Sequence, residues 1–415
     1  MRVLRLERSA GLLAELAARG ATNTSRVESV VRKIVADVRK NGDAGLRRYA
    51  SKLDSLEKGE PLRVSAADLK AAWDASGAEF KQAIRAASKN IERFSQWQMP
   101  KSWTRRAGDG IQLGQLIRPL DSVGCYVPGG RYPLPSTVLM TVVPARVAGV
   151  ERIVVVSPKP ARETLAAAHF LGVDEFYRIG GAQAVAALAY GTESVERVTK
   201  IVGPGNVYVT TAKKLVAFDC AIDMLAGPTE AVVVSDRGNP RFIAADLVAQ
   251  AEHDPQAMVA FFTTSSPLAK AVKKEVAALS ADNAIAREAL AERGHIFVAR
   301  DLAQAMEAAN QFASEHITVD ENLLDAVTSA GSIFVGDYSA QSFGDYASGP
   351  NHVLPTGGLA RVRGGLSVLD YVKVITVQQI ARSGLRELTP IAETLAAAEG
   401  LVAHGRSVAI RRRNA

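Results

Sequence analysis

From residue 152 onward, short apolar runs alternate with helical stretches, and this alternation constrains the fold more than any other feature of the chain. Arg152–Ser157 reads as a buried strand and Ala161–Leu171 as a helix. Glu175–Ile179 reads as a strand ending on Gly180-Gly181, followed by a helix over Ala182–Tyr190. Lys200–Val202 ends on Gly203-Pro204-Gly205-Asn206 and enters the helical stretch Val207–Ala217. Strands separated by helices pair in parallel, with the helices laid on the sheet faces. A second set follows, with strands over Glu230–Ser235, Met258–Thr263, His295–Ala299, Ile317–Val319 and Ser332–Val335 and helices over Arg241–Glu252 and Pro267–Leu279. The expected fold class is α/β, with two Rossmann-like parallel-sheet units. No sequence repeat at a spacing of 20–50 residues relates them, although their shapes can still be alike.

Residues 1–100 read as helical. Apolar residues recur at helical spacing through Val27, Val30, Val31, Ile34, Val35 and Val38, and again through Phe80, Ile84, Ala87, Ile91 and Phe94. Asp121–Gly130 reads as a short strand running into a Pro-Gly turn, Arg131–Ser136 as loop and Thr137–Ala148 as helix. A chain of 415 residues is too long for one ordinary core. The expected division is an N-terminal helical segment (1–25), a first α/β domain (26–125 with 229–366), a second α/β domain carrying the nucleotide-binding loops (126–228) and a C-terminal tail domain (367–415).

Composition narrows the function. Cys125 and Cys220 are far apart and form no CxxC pair, which excludes a disulfide framework and a cysteine-bound zinc. The first residues mix charge into their apolar stretch and lack a signal-peptide core, and no run of about 18 apolar residues occurs, so a cytoplasmic protein is expected. The net charge of +7 fits a basic enzyme surface. The basic clusters at Arg361-Val-Arg363 and Arg406–Arg413 carry no interleaved aromatic residues, so no nucleic-acid partner is expected.

Four of the six histidines stand in short polar runs beside a carboxylate or carboxamide: His253, His316, His352 and His404. Imidazole, carboxylate and amide oxygen are the ligands of a metal site without thiolate, and imidazole titrates near neutral pH. Gln250 and His253, three apart at a helix end, share a face. The plain alternative is a helix-end histidine bonded to backbone. The run Gly344–His352 reads as a non-helical loop that brings Asp345 and His352 to a cleft, against the alternative of a self-stabilising Asx turn. Glu315 beside His316 suits general-base work, since a carboxylate orients an imidazole and raises its basicity. A strand-edge surface histidine explains the same pair. Glu399 and His404 lie on or just after a helix expected over Ile391–Ala403 and stopped by Gly405. His169 and His295 have apolar neighbours and read as structural.

No GxGxxG occurs. Gly180-Gly181-Ala182-Gln183 and Gly203-Pro204-Gly205-Asn206 stand instead at strand-to-helix junctions, where free backbone N–H groups at a helix N-terminus favour phosphate. Tight chain reversal is the alternative for either turn alone. Together with Tyr126 before Pro128-Gly129-Gly130, they make a nucleotide site the expectation.

From about residue 26 to the C-terminus, the chain resembles the histidinol dehydrogenase family. The resemblance is carried by Gly124–Gly130, Pro135–Met140, Gly180–Ala184, Gly203–Asn206, Ile222–Glu230, Gln250–His253, Ser314–His316, Gly344–Pro355 and Glu399–His404. It implies an aldehyde-dehydrogenase-like architecture and a homodimer whose C-terminal tails swap between subunits. One zinc per subunit would be held by Gln250, His253, Asp345 and His404. His316 would be the general base, with Glu315 activating water. Thr229, His316, Asp345 and Glu399, with the zinc ligands, would bind substrate, and Tyr126, Gln183 and Asn206 would contact NAD. The implied reaction takes L-histidinol through the aldehyde to L-histidine with two NAD.

Three positions depart from the family's pattern: Thr229 replaces a usual serine, Lys373-Val374 a usual Lys-Arg, and Arg363-Gly364-Gly365 a small polar run. Relatives that oxidise sulfonated diols make another small alcohol the alternative substrate. A zinc hydrolase and a nucleic-acid module are weaker readings.

Overall fold

The computed structural model describes residues 1–19, 25–129 and 132–413. Gly130 and Arg131 of the expected Pro-Gly turn lie outside these, as does part of the expected segment 1–25. Two parallel sheets form the framework. In the five-stranded sheet, Ser122–Tyr126 is central, Arg152–Val156 and Glu175–Tyr177 add on one side, and Lys200–Val202 and Ala221–Ile222 add on the other. The six-stranded sheet repeats this winding around Glu230–Val234. Met258–Thr263 and Gly294–Val298 lie on one side, and His316–Val319 and Ser332–Val335 on the other. The two units are thus alike in strand order.

Both central strands are buried at every residue, as strands with helices on both faces must be. Phe262 and Phe297 stack at 5.0 Å across neighbouring strands of the six-stranded sheet. Helix Ser25–Leu53, broken at Gly42 by a left-handed backbone (φ 51°), packs against helix Gly181–Tyr190. It contributes Val31, Val35, Val38 and Leu46 to the same apolar cluster. Among the described residues no helix is long and apolar enough to cross a membrane.

Several expectations need correction. Arg2–Arg5 is a strand, not a helix: it pairs in parallel with His295–Val298 and closes an edge of the six-stranded sheet. Trp103–Gly108, Ile111–Pro119 and Val372–Ile380 form an antiparallel ribbon that joins the tail to residues far upstream. The helix expected over Ile391–Ala403 is two helices, Leu385–Ala398 and Val402–Arg413, separated at Gly400 (φ 72°) rather than stopped by Gly405. Asp345 lies in a short helix, Gln341–Tyr346, where a loop was expected.

Candidate active site

Two strands of the six-stranded sheet begin at the site. Thr229 immediately precedes Glu230–Val234, and His316 opens His316–Val319 with Ala231 as its register partner. The polar cluster therefore sits at the amino ends of these strands, whereas ligands of open parallel sheets usually lie at the carboxyl ends. Helix Pro240–Ala251 adds Asp246 and Gln250 one turn apart, and His253 follows its end. Helix Gln341–Tyr346 adds Asp345.

His352 closes the site against the other unit. Its Nδ1 lies 2.9 Å from the Asp345 carbonyl, and its Nε2 lies 3.1 Å from Thr137 Oγ1. Asn351 Nδ2 donates to the Met140 carbonyl at 2.6 Å. The run 345–352 thus bridges the six-stranded unit and helix Pro135–Ala148.

The buried groups form a chain of contacts. Thr229 Oγ1 lies 2.6 Å from Glu315 Oε2 and 3.1 Å from Gln250 Oε1. A hydroxyl has one proton, so it serves one acceptor fully at a time. Ionised Glu315 takes it; protonated Glu315 donates to Thr229 instead and frees the hydroxyl proton for Gln250. The Glu230 N–H also donates to Glu315 Oε2, at 3.0 Å. His316 lies between two carboxylates, with Nδ1 3.8 Å from Glu315 Oε2 and Nε2 3.5 Å from Asp345 Oδ1. Its Nδ1 is buried without a hydrogen-bond partner.

Burial pushes the Glu315 carboxyl up to about 7, against the lowering pull of His316, Thr229 and the Glu230 N–H. Burial also works against a charged His316, but Glu315 and Asp345 outweigh it and raise the imidazole. Asp345 is held low: burial opposes its charge, and His316, His352 and His253 more than compensate. Glu315 thus changes charge near neutral pH, beside an imidazole that holds its proton more tightly than usual and a carboxylate that gives its proton up more readily.

Of the predicted residues, one chain brings together Thr229, Gln250, His253, Glu315, His316 and Asp345. It does not bring in Glu399 and His404. These flank a surface groove between the two last helices, and the described hydrogen bonds and ion pairs connect neither to the cluster. Among the described residues of a single chain, no three His, Cys, Asp or Glu side chains close around one metal position. Gln250 joins the cluster through Thr229, and His253 reaches Asp345 through its charge; amide oxygen, imidazole and carboxylate are donor types that zinc accepts.

At the carboxyl ends of the five-stranded sheet, side chains take three of the glycine N–H groups. Gly180 N–H donates to Asp54 Oδ2 and Gly181 N–H to Tyr126 Oη, each at 2.9 Å. Gly203 N–H donates to Asp223 Oδ2 at 2.7 Å. Asn206 Oδ1 caps its own helix by accepting from the N–H groups of Tyr208 and Val209. Three N–H groups of the two glycine turns are thus already engaged by side chains. Gly203 has φ +110°, and a Cβ there would collide with the Tyr126 carbonyl. The close approach of the two central strand ends therefore needs glycine.

Sequence reasoning missed Asp246. Burial lifts its carboxyl to about 6, and it feels both His316 and Asp345. Its place four residues before Gln250 on one helix face was the available signal. It also missed Arg19, whose Nε donates to Glu230 Oε1 at 2.7 Å behind Glu315.

Comparison with known proteins settles the family. The histidinol dehydrogenase family model matches residues 17–412. The chain belongs to the histidinol dehydrogenase family. It is 44% identical over 417 residues to a histidinol dehydrogenase of Methanothermobacter thermautotrophicus, covering 97% of each chain. It is 46% identical over 413 residues to that of Gluconobacter oxydans, covering 95% of each. The crystal structure of histidinol dehydrogenase from Elizabethkingia anophelis matches with a TM-score of 0.94 at 34% identity, covering 100% of this chain and 98% of that one. Membership in the histidinol dehydrogenase family makes the chain an oxidoreductase.

Proposed function

We propose that this protein is a cytoplasmic, zinc-dependent, NAD-linked dehydrogenase that oxidises L-histidinol through L-histidinal to L-histidine, the last steps of histidine biosynthesis. The observation that carries the reading is the array Thr229–Glu315–His316–Asp345, buried at Glu315 and His316, with Gln250 bonded to Thr229 and the charge of His253 acting on Asp345. In it, two carboxylates flank an imidazole and make it more basic.

The donor set fits zinc: Gln250, His253 and Asp345 of one subunit, completed by His404 of the partner subunit in a homodimer. The separation of His404 and Glu399 from the cluster within one chain supports a tail that works in trans. When bound, the metal supplies fixed positive charge for the substrate's imidazole and amine.

The remaining steps belong to protein side chains. NAD, when bound, would supply the hydride acceptor for each of two oxidations, and His316 takes the hydroxyl proton of the alcohol in the first. Before the second, His316 releases that proton, water activated by Glu315 adds to the aldehyde carbon, and His316 takes a hydroxyl proton of the resulting hydrate. Glu315 suits this work because its carboxyl changes charge near neutral pH. Thr229 and Glu399 help hold the substrate. The threonine keeps the hydroxyl contact to Glu315 while adding a methyl group to the site. Tyr126, Gln183 and Asn206, at the carboxyl ends of the five-stranded sheet, face the dinucleotide.

The deciding experiment measures NADH formation by the zinc-loaded enzyme with L-histidinol and with a panel of small diols, sulfonated ones included. Turnover of L-histidinol to L-histidine is expected. Turnover of a diol with none of L-histidinol would replace the substrate while keeping the chemistry.

A further inference from the structure

Asp54 follows the end of helix Ser25–Leu53 and has no part in the reaction above. Its Oδ2 accepts two hydrogen bonds, from Gly180 N and from Gln183 Nε2, both at 2.9 Å and both from residues more than 120 positions away. A carboxylate only accepts, so the contact orients the Gln183 amide with its nitrogen toward Asp54 and its oxygen away. Gln183 is fully buried, and that oxygen, Oε1, has no partner. It lies under the α-carbon of Gly181, where a Cβ would stand 2.8 Å from it.

This arrangement is unfavourable for folding alone. Burial raises the Asp54 carboxyl against the pull of the Gly180 N–H, the Gln183 amide and the Lys159 charge, and Asp54 has no ion pair among the described residues. An orphaned amide oxygen adds a further cost. Such costs persist where they serve a site. The carboxylate also stands at the amino end of helix Gly181–Tyr190, the position a phosphate would otherwise take.

We propose that Asp54 is a positioning residue for the dinucleotide. It fills the anion position at this helix end and holds Gln183 so that Oε1 meets a hydrogen-bond donor of the cofactor, a hydroxyl or N–H, rather than its pyrophosphate. Access to Oε1 requires a small lift of the Gly180-Gly181 turn, which two glycines allow. The inference rests on the NAD reading above and names which part of the cofactor meets this turn.

The test is a double-mutant cycle read by NADH titration of the intact enzyme. Asp54→Ala, which frees the Gln183 amide, weakens NADH binding about tenfold, as expected for loss of one well-placed hydrogen bond. Asp54→Asn, whose amide oxygen can still accept both bonds, restores it. In a Gln183→Ala background, Asp54→Ala has no further effect on NADH affinity. If Asp54→Ala lowers Tm but leaves NADH affinity unchanged, or if its effects add fully to Gln183→Ala, the inference is wrong. If the unmutated enzyme does not bind NADH, the nucleotide reading itself fails.

Discussion

Replacing Glu315 by glutamine should stabilise the protein above neutral pH while disabling it. The carboxyl is buried, accepts from Thr229 Oγ1 at 2.6 Å and from the Glu230 N–H at 3.0 Å, and is lifted from its ordinary 4.5 to about 7. In the unfolded chain Glu315 ionises near its ordinary value, whereas in the folded protein it keeps its proton until about pH 7. Folding stability therefore falls as pH rises between these two values and is flat above the higher one. At about 1.4 kcal/mol per pH unit, the accumulated cost is about 3 kcal/mol. Glutamine never ionises, and its amide oxygen can still accept from Thr229 and from the Glu230 N–H. Thermal unfolding of both proteins from pH 4 to pH 9 is the assay. The variant's Tm should match the parent's near pH 4, pull ahead through the interval up to about 7, and keep a constant lead above it. Turnover at pH 8 should drop by about 10²–10⁴, the usual worth of a positioned acid or base. A variant less stable than the parent at pH 8, or a Tm gap that ignores pH, would refute the claim that Glu315 is held as a strained buried carboxyl.

Other substitutions probe neighbouring parts. His316→Ala should lower turnover by about 10²–10⁴ while elemental analysis still finds zinc, separating the base from the metal ligands. His253→Ala should lose zinc in the same analysis, with activity recovering in part only at high added metal. Gly203→Ala, which drives a methyl group into the Tyr126 carbonyl at φ +110°, should lower stability by about 1–3 kcal/mol in denaturant titration. Lys213→Ala would strip the buried Asp223 carboxylate of its only ion-pair partner among the described residues, at a cost of about 3–5 kcal/mol by the same titration.

Much of the framework was legible in the sequence because it rests on local pattern. The apolar runs Arg152–Val156, Lys200–Val202 and Met258–Thr263 are strands because a sheet covered on both faces is what buries them. The ribbon joining Ile111–Pro119 to Val372–Ile380 was not legible, since each half is exposed on much of its length and its partner is more than 250 residues away. Arg2–Arg5 carries too few apolar residues to announce itself as an edge strand. Within the site, Glu315, His316, Gln250 and His253 stood out as chemistry in short polar runs. The contacts of Asp54, Arg19 and Asp246 are long-range and could be seen only after folding. At the glycine turns the pattern showed the strand-to-helix junctions but not the side chains of Asp54, Tyr126 and Asp223 that take the N–H groups of Gly180, Gly181 and Gly203.

The proposed chemistry depends most on where the metal sits and on which chain completes its shell. Zinc-edge anomalous diffraction from crystals of the zinc-loaded enzyme addresses both. The expected result is one peak per subunit, contacted by Gln250, His253 and Asp345 of one chain and by His404 of a second. A peak elsewhere, or a shell completed without His404, would contradict it.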